Sequence, residues 1–226
     1  MFRDFISLIF PNYCLACQTL LVKSERWLCT GCLVDLPQTN YHTEVNNPVA
    51  QKFYGRIPIT YAMAMYKFRI GSSVQRLVHQ LKYGNTPEIG EMLGNLYGEQ
   101  LRSEEWDYKF DCIVPVPLHP QRLRERGYNQ SDYFAKGMAS VLAISWYSDC
   151  LKRTKNTVTQ THQNKMERLD NLMDAFYVVN SSIIQNKHVL LVDDVITTGS
   201  TLEACALSLL AAGTKQISIA TIAVTD

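Results

Sequence analysis

The chain has 226 residues, of which 46% are apolar and 19% charged, and its net charge is +1 at pH 7. That length suffices for one α/β domain with a small appendage. The charge balance excludes a bulk attraction to nucleic acid or an acidic membrane, and no apolar run reaches the length of a membrane-spanning helix.

The opening, MFRDFISLIFP, is too short in its apolar run for a secretory signal, and Asp4 interrupts its basic end. Phe2, Phe5, Ile6, Ile9 and Phe10 follow helical spacing and predict a short amphipathic helix. A cytoplasmic protein is expected. Next come Cys14-x2-Cys17 and, eleven residues on, Cys29-x2-Cys32. Each Cys-x2-Cys turn aims two thiolates at one point, so the pair predicts a tetrahedral four-cysteine Zn²⁺ site. Four thiolates leave no open position, which makes the zinc structural, a source of folding energy for a stretch with little core of its own. Cys112, Cys150 and Cys205 lie in apolar surroundings and read as core residues. The expected organisation is a zinc-ribbon-like element with its helix over 1–36, a polar linker over 37–56 with His42 facing solvent, and an α/β domain over 57–226.

From residue 57 onward strand and helix patterns alternate. TYAMAMYKF predicts a strand, SSVQRLVHQLKY a helix capped by Ser72 or Ser73, and PEIGEMLGNLYGEQL a second helix. DCIVPVP reads as a buried strand stopped by prolines, and Asn129 opens a helix over NQSDYFAKGMASVL. DAFYVV and HVLLVDD predict strands, TLEACALSLLAAG a helix closed by Gly213, and QISIATIAV a last strand. Such alternation argues for a mostly parallel sheet with flanking helices, with ligands bound beyond the carboxyl ends of the strands.

Asp193 and Asp194 run off one of those ends. Adjacent residues point to opposite faces, so both cannot bury in one core, and charges beside an apolar strand need partners. A polyhydroxyl ligand, a water-held divalent cation or Lys/Arg would serve. Thr197, Thr198, Gly199, Ser200 and Thr201 then enter a helix whose N-terminal N–H groups and dipole favour phosphate. Gly199 permits close backbone approach. Acids beside a phosphate cradle suit a sugar phosphate.

VLLVDDVITTGST resembles the phosphoribosyl diphosphate (PRPP) signature of type I phosphoribosyltransferases. Four further features narrow the resemblance to the ComF family: the four-cysteine element; Leu81, Lys82 and Tyr83; the segment VPVPLHPQRLRERGYNQ; and Arg153, Thr157, Gln160, Arg168, Asn171 and Phe176. Gln163 departs from the usual Leu. The resemblance covers nearly the whole chain and implies a type I phosphoribosyltransferase-like domain over 57–226.

It also implies roles. Asp193 and Asp194 become the catalytic pair that holds ribose, Thr197 to Thr201 bind the 5′-phosphate, and Mg²⁺ bridges ribose and diphosphate. The loop after Val116-Pro117 becomes the diphosphate loop, with Lys82, Arg122, Arg124, Arg126 and Arg168 as candidate cations; a solvated charged turn is the other reading of RLRERG. The stretch from Lys152 to Asp174 reads as a mobile lid or an ordinary surface loop. Thr197 stands where purine-specific relatives carry an Asp base, which argues against ordinary purine salvage. Three functions follow: phosphoribosyl transfer to an unidentified acceptor, non-catalytic binding of PRPP or a nucleotide, and an accessory role in DNA uptake that touches single-stranded DNA. For the last, Arg122, Arg124, Arg126, Tyr128, Lys152, Arg153 and Lys155 would contribute, though no aromatic ladder is visible. The oligomeric state is open.

Overall fold

The computed structural model describes residues 11–106, 109–153 and 175–225. The expected N-terminal helix and Lys155, Thr157, Gln160, Gln163, Arg168 and Asn171 lie outside the described residues.

The helices in chain order are α1 (Thr30–Asp35), α2 (Pro48–Gln51), α3 (Ser73–Tyr83), α4 (Glu88–Ser103), α5 (Pro120–Arg126), α6 (Gln130–Leu142) and α7 (Ser200–Ala211). The strands are β1 (Ala62–Phe68), β2 (Cys112–Pro115), β3 (Ser145–Trp146), β4 (Leu151–Arg153), β5 (Phe176–Val178), β6 (His188–Ile196) and β7 (Gln216–Thr225). Five of these strands form a parallel sheet in the order β1-β7-β6-β2-β3, while β4 and β5 pair as an antiparallel hairpin. The chain leaves β2 toward β3 on one side and leaves β6 toward β7 on the other. The crevice between the carboxyl ends of β2 and β6 is therefore the topological switch point, where parallel sheets bind ligands.

Period-two alternation sorts the strands onto two cores. Met63, Met65, Leu190 and Val192 join the core under α3, α4 and α6. Ala62, Ala64, Val189 and Leu191 join the opposite core, with Leu202, Cys205 and Leu209 of α7. Cys112, Cys150 and Cys205 are buried, as expected. Ser72 caps α3 by accepting from the Gln75 N–H, and Asn129 caps α6 by accepting from the Ser131 N–H. α4 and α6 pack closely because glycines line their contact. A Cβ on Gly137 would sit 2.2 Å from the Glu91 carbonyl oxygen, so only glycine admits this approach.

The segment 37–56 folds onto β1. Asn47 is buried; its Nδ2 donates to the carbonyls of Tyr41, Glu44 and Ala62, and its Oδ1 caps α2. This placement overturns the solvent-facing reading of His42. The imidazole is 4% exposed, lies 3.1 Å from Glu104 and meets the Tyr97 ring edge-on. The turn over Tyr41–Thr43 is drawn against the domain by the Asn47 bonds, and the polar composition of its neighbours hides that.

Candidate functional site

β6 delivers both acids to the switch point, and different elements meet each one. Lys82 Nζ, in the last turn of α3, pairs with Asp194 Oδ2 at 3.0 Å. Ser131 Oγ, in the first turn of α6, donates to Asp193 Oδ1 at 2.8 Å, and the Asp194 N–H donates to the same oxygen at 2.8 Å. Both side-chain partners come from helices on the same face of the sheet, each taking one of the two acids. Burial and the adjacent Asp194 charge push the Asp193 carboxyl up to about 7; the Ser131 bond, the Asp194 N–H and Lys82 oppose that rise.

Beyond the acids the chain turns into α7. Gly199 is buried at φ +80°, and a Cβ there would meet the Phe53 ring at 3.0 Å. Thr197 and Thr198 are exposed, and the Thr198 and Ser200 hydroxyls lie 3.1 Å apart. A depression of about 50 Å³ is lined by Asp193, Val195 and the residues from Ile196 to Leu202. Its floor is the N-terminus of a twelve-residue helix, with free N–H groups and the positive dipole end. Arg56 braces this turn: it donates to the Thr198 carbonyl at 3.0 Å and pairs with Glu203 of α7.

The β2 side is equally built. Val116 N–H donates to the Val192 carbonyl at 2.8 Å, and Asn129 Nδ2 donates to the Val116 carbonyl at 2.9 Å. RLRER, one reading of which was a charged turn, is the helix α5. Pro120 starts it, His119 Nδ1 caps it, and Gly127 at φ +78° ends it, an asymmetry visible in the sequence. α5 separates two cavities. One, of about 570 Å³, is lined by Lys82, Tyr83, Asn85, Arg122, Glu125 and Arg126, three cations against one carboxylate. Arg126 donates to Gln130 Oε1 at 2.9 Å and lies over the Tyr83 ring. Arg124 is exposed on α5 and does not line this bay. The other cavity, of about 410 Å³, includes Pro117, Leu123, Tyr128, Asn129, Lys152 and Arg153.

The structure thus gathers Asp193, Asp194, Lys82 and the Thr197–Thr201 loop, with Pro117, Arg122 and Arg126 on the cavities beside them. Lys152 is paired with Asp149. Ser131 and Arg56 were not singled out from the sequence. Ser131 had a faint signal, the first turn of a helix entered from the β2 loop; Arg56 had none.

At the N-terminal end the four Sγ atoms of Cys14, Cys17, Cys29 and Cys32 all lie within 4.8 Å of one another. Four thiolates about 2.3 Å from one zinc would be roughly 3.8 Å apart, so the donor set fits that ion. The Cys29 N–H donates to Cys14 Sγ at 3.3 Å, and the Cys32 N–H to Cys29 Sγ at 3.4 Å, which orients the sulfurs inward. Cys14, Leu28 and Leu36 are buried in the core shared with α3, and Arg76 Nε of α3 donates to the Ala16 carbonyl at 2.6 Å. Among the described residues no helix is long and apolar enough to cross a membrane.

Residues 129–225 match the phosphoribosyl transferase domain family. The chain is 36% identical over 146 residues to the DNA utilization protein YhgH of Salmonella typhimurium, and covers 63% of that relative's length, with 63% of this chain aligned. It is 30% identical over 200 residues to the protein of the same name in Escherichia coli K12, covering 87% of this chain and 84% of that one. It is 33% identical over 147 residues to competence protein F of Haemophilus influenzae, covering 63% and 64% respectively.

Proposed function

Because the chain belongs to the ComF family of phosphoribosyltransferase-like proteins, we propose that its switch-point crevice binds PRPP. The convergence of the acid pair and the hydroxyl loop at one crevice carries this reading. Asp193 and Asp194 accept hydrogen bonds from the ribose hydroxyls. The 5′-phosphate sits on the N–H groups and hydroxyls of Thr197 to Thr201, and the diphosphate enters the bay of Lys82, Arg122 and Arg126 past the Pro117 loop. Arg168 belongs to the same proposal, from outside the described residues.

Mg²⁺ suits this site, because Asp193, Asp194 and the ligand's own oxygens are hard donors; held there, it would neutralise charge on the leaving group. The protein's share of a transfer is electrostatic. Breaking the bond between the anomeric carbon and diphosphate builds positive charge on the sugar, which the ionised acids stabilise, while Lys82 and the arginines receive the leaving anion. Thr197 lacks the basicity to deprotonate an acceptor, so an acceptor that reaches this site brings its own nucleophile or meets a different base. A structural Zn²⁺ on Cys14, Cys17, Cys29 and Cys32 completes the proposal.

Calorimetry of Mg²⁺·PRPP binding to the zinc-loaded chain, against Asp193→Asn/Asp194→Asn, tests it. Tight binding by wild type that the double variant loses supports the reading; no binding by wild type sinks it. Release of diphosphate with a panel of bases and amines separates an enzyme from a binding protein.

The three exposed or half-exposed arginines of α5 favour a second reading, an accessory in DNA uptake that touches single-stranded DNA, in keeping with the names of the relatives. Salt-dependent retardation of an oligonucleotide, lost on replacing Arg122, Arg124 and Arg126 by Ala, is its test.

A further inference from the structure

α5 is a wall with different chemistry on its two sides. Arg122, Glu125 and Arg126 face the bay beside Lys82; Pro120 and Leu123 face the cavity of about 410 Å³. No residue lines both. The bay meets the acid pair through Lys82 and Asp194, and the proposed diphosphate fills it. The second cavity has no role in that scheme, yet it begins at the same Pro117 loop and runs along the first turn of α6, where Ser131 holds Asp193.

The charges lining this cavity are settled except one. The Asp132 carboxylate accepts from the Trp146 indole at 2.7 Å, and Lys152 pairs with Asp149. Asn129 spends its amide on the Val116 carbonyl and on the Ser131 N–H. Among the described residues Arg153 makes no close ion pair, feeling Asp193 only at longer range, and its Nε is shielded from solvent without a hydrogen-bond partner. Its guanidinium lies 5.3 Å from the Phe176 ring centroid. Stacking on a ring uses the flat face and leaves the N–H edge for a planar or tetrahedral oxyanion. A half-buried cation with an orphaned donor, at the edge of a cavity with Tyr128 and Tyr133 in its wall, is built for a ligand that has both an anionic group and a flat apolar body.

We propose that this cavity binds a nucleoside monophosphate, with the phosphate on the N–H edge of Arg153 and the base against Leu123 and the tyrosine wall. The proposal deepens the PRPP reading and rests on it in one respect, that the diphosphate takes the bay on the other side of α5; the nucleotide is then the second ligand, across the crevice from the leaving group. Burial lowers the pKa of Arg153, and a bound phosphate would offset that cost.

Thymidine 5′-monophosphate is the probe, titrated by calorimetry into the zinc-loaded full chain in saturating ribose 5-phosphate, which occupies the Thr197–Thr201 loop. Wild type should still bind the nucleotide. Arg153→Gln should weaken it by roughly tenfold or more while ribose 5-phosphate binds as before. Leu123→Trp, which fills the cavity from the exposed face of α5 and leaves Arg153 in place, should block the nucleotide alone; it decides the matter if Arg153→Gln fails to fold. Abolition by ribose 5-phosphate, equal binding of uncharged thymidine, or nucleotide affinity unchanged in either folded variant overturns the proposal. If wild type binds the nucleotide through Arg153 but binds neither PRPP nor ribose 5-phosphate, the cavity assignment stands and the PRPP reading falls. Binding of PRPP with no binding of the nucleotide overturns the cavity assignment and leaves the PRPP reading in place.

Discussion

Ser131 Oγ donates a 2.8 Å hydrogen bond to Asp193 Oδ1, tying the first turn of α6 to the acid at the end of β6. This bond crosses the switch point, so the two halves of the crevice meet through one hydroxyl and one carboxylate.

The bond bears on pH. Burial and Asp194 hold the folded Asp193 pKa at about 7, above its ordinary value of 3.8. An acid raised in this way contributes stability below its unfolded pKa and loses that contribution as pH climbs through the folded one. Asp193→Asn, which keeps an acceptor for Ser131, should therefore melt higher than wild type at pH 8, and the advantage should shrink steadily toward pH 4. Ser131→Ala removes a bond that favours the carboxylate and should push the Asp193 titration to higher pH. If Mg²⁺·PRPP binding needs ionised Asp193, wild-type affinity rises from pH 6 to pH 8, and Ser131→Ala shifts that rise upward. Melting curves and calorimetry across pH read both effects.

Lys82 supports the same ionisation from the α3 side, 3.0 Å from Asp194. On the proposed binding mode Lys82→Met should raise the Asp193 pKa further and weaken PRPP more than ribose 5-phosphate, because the diphosphate would lose a cation that the 5′-phosphate would not touch. A loss of roughly tenfold in PRPP affinity is expected. Equal losses for the two ligands would place Lys82 outside the diphosphate bay.

Gly137→Ala tests the α4–α6 contact. The added Cβ would lie 2.2 Å from the Glu91 carbonyl oxygen, which is backbone and cannot swing away. Separating the helices should cost about 1–3 kcal/mol, read as a lower denaturation midpoint in urea. A neutral effect would mean that the helices slide apart more easily than their packing implies.

The cysteine cluster makes a separate prediction. Purified protein should carry about one equivalent of zinc, and Cys29→Ser should lose most of it. Leu28 and Leu36 share the core under α3, so chelation should expose apolar surface and lower the melting temperature of the whole chain. Metal analysis with a melting curve before and after chelation measures this. Unchanged melting after complete zinc removal would make the ribbon an independent appendage.

The readings that succeeded from sequence were carried by contiguous residues. Two Cys-x2-Cys turns with a short spacer already bring four sulfurs within reach of one ion. Ser72 and Asn129 announced their helices as caps, and the alternation of strand and helix patterns announced a parallel sheet with flanking helices. His42 and α5 were less legible for one reason. A polar stretch reads as loop when its partners lie elsewhere, and Asn47 buries its neighbourhood through the carbonyl of Ala62, which local composition does not encode.

The candidate site divides along the same line. Asp193, Asp194 and Thr197 to Thr201 are neighbours in the chain, so the sequence by itself determined that acids would stand beside a helix N-terminus, whatever surrounds them. Only the tertiary structure decided that Lys82 faces Asp194, that Ser131 holds Asp193, that Arg56 braces the turn into α7 and that Arg153 Nε is left without a hydrogen-bond partner among the described residues. Those pairings follow from the sheet order, which pairs β2 with β6 while the chain leaves them in opposite directions, and brings the ends of α3, α5 and α6 to one crevice. Strand order is a choice among long-range contacts, set by the burial of two cores at once, and no local pattern records it.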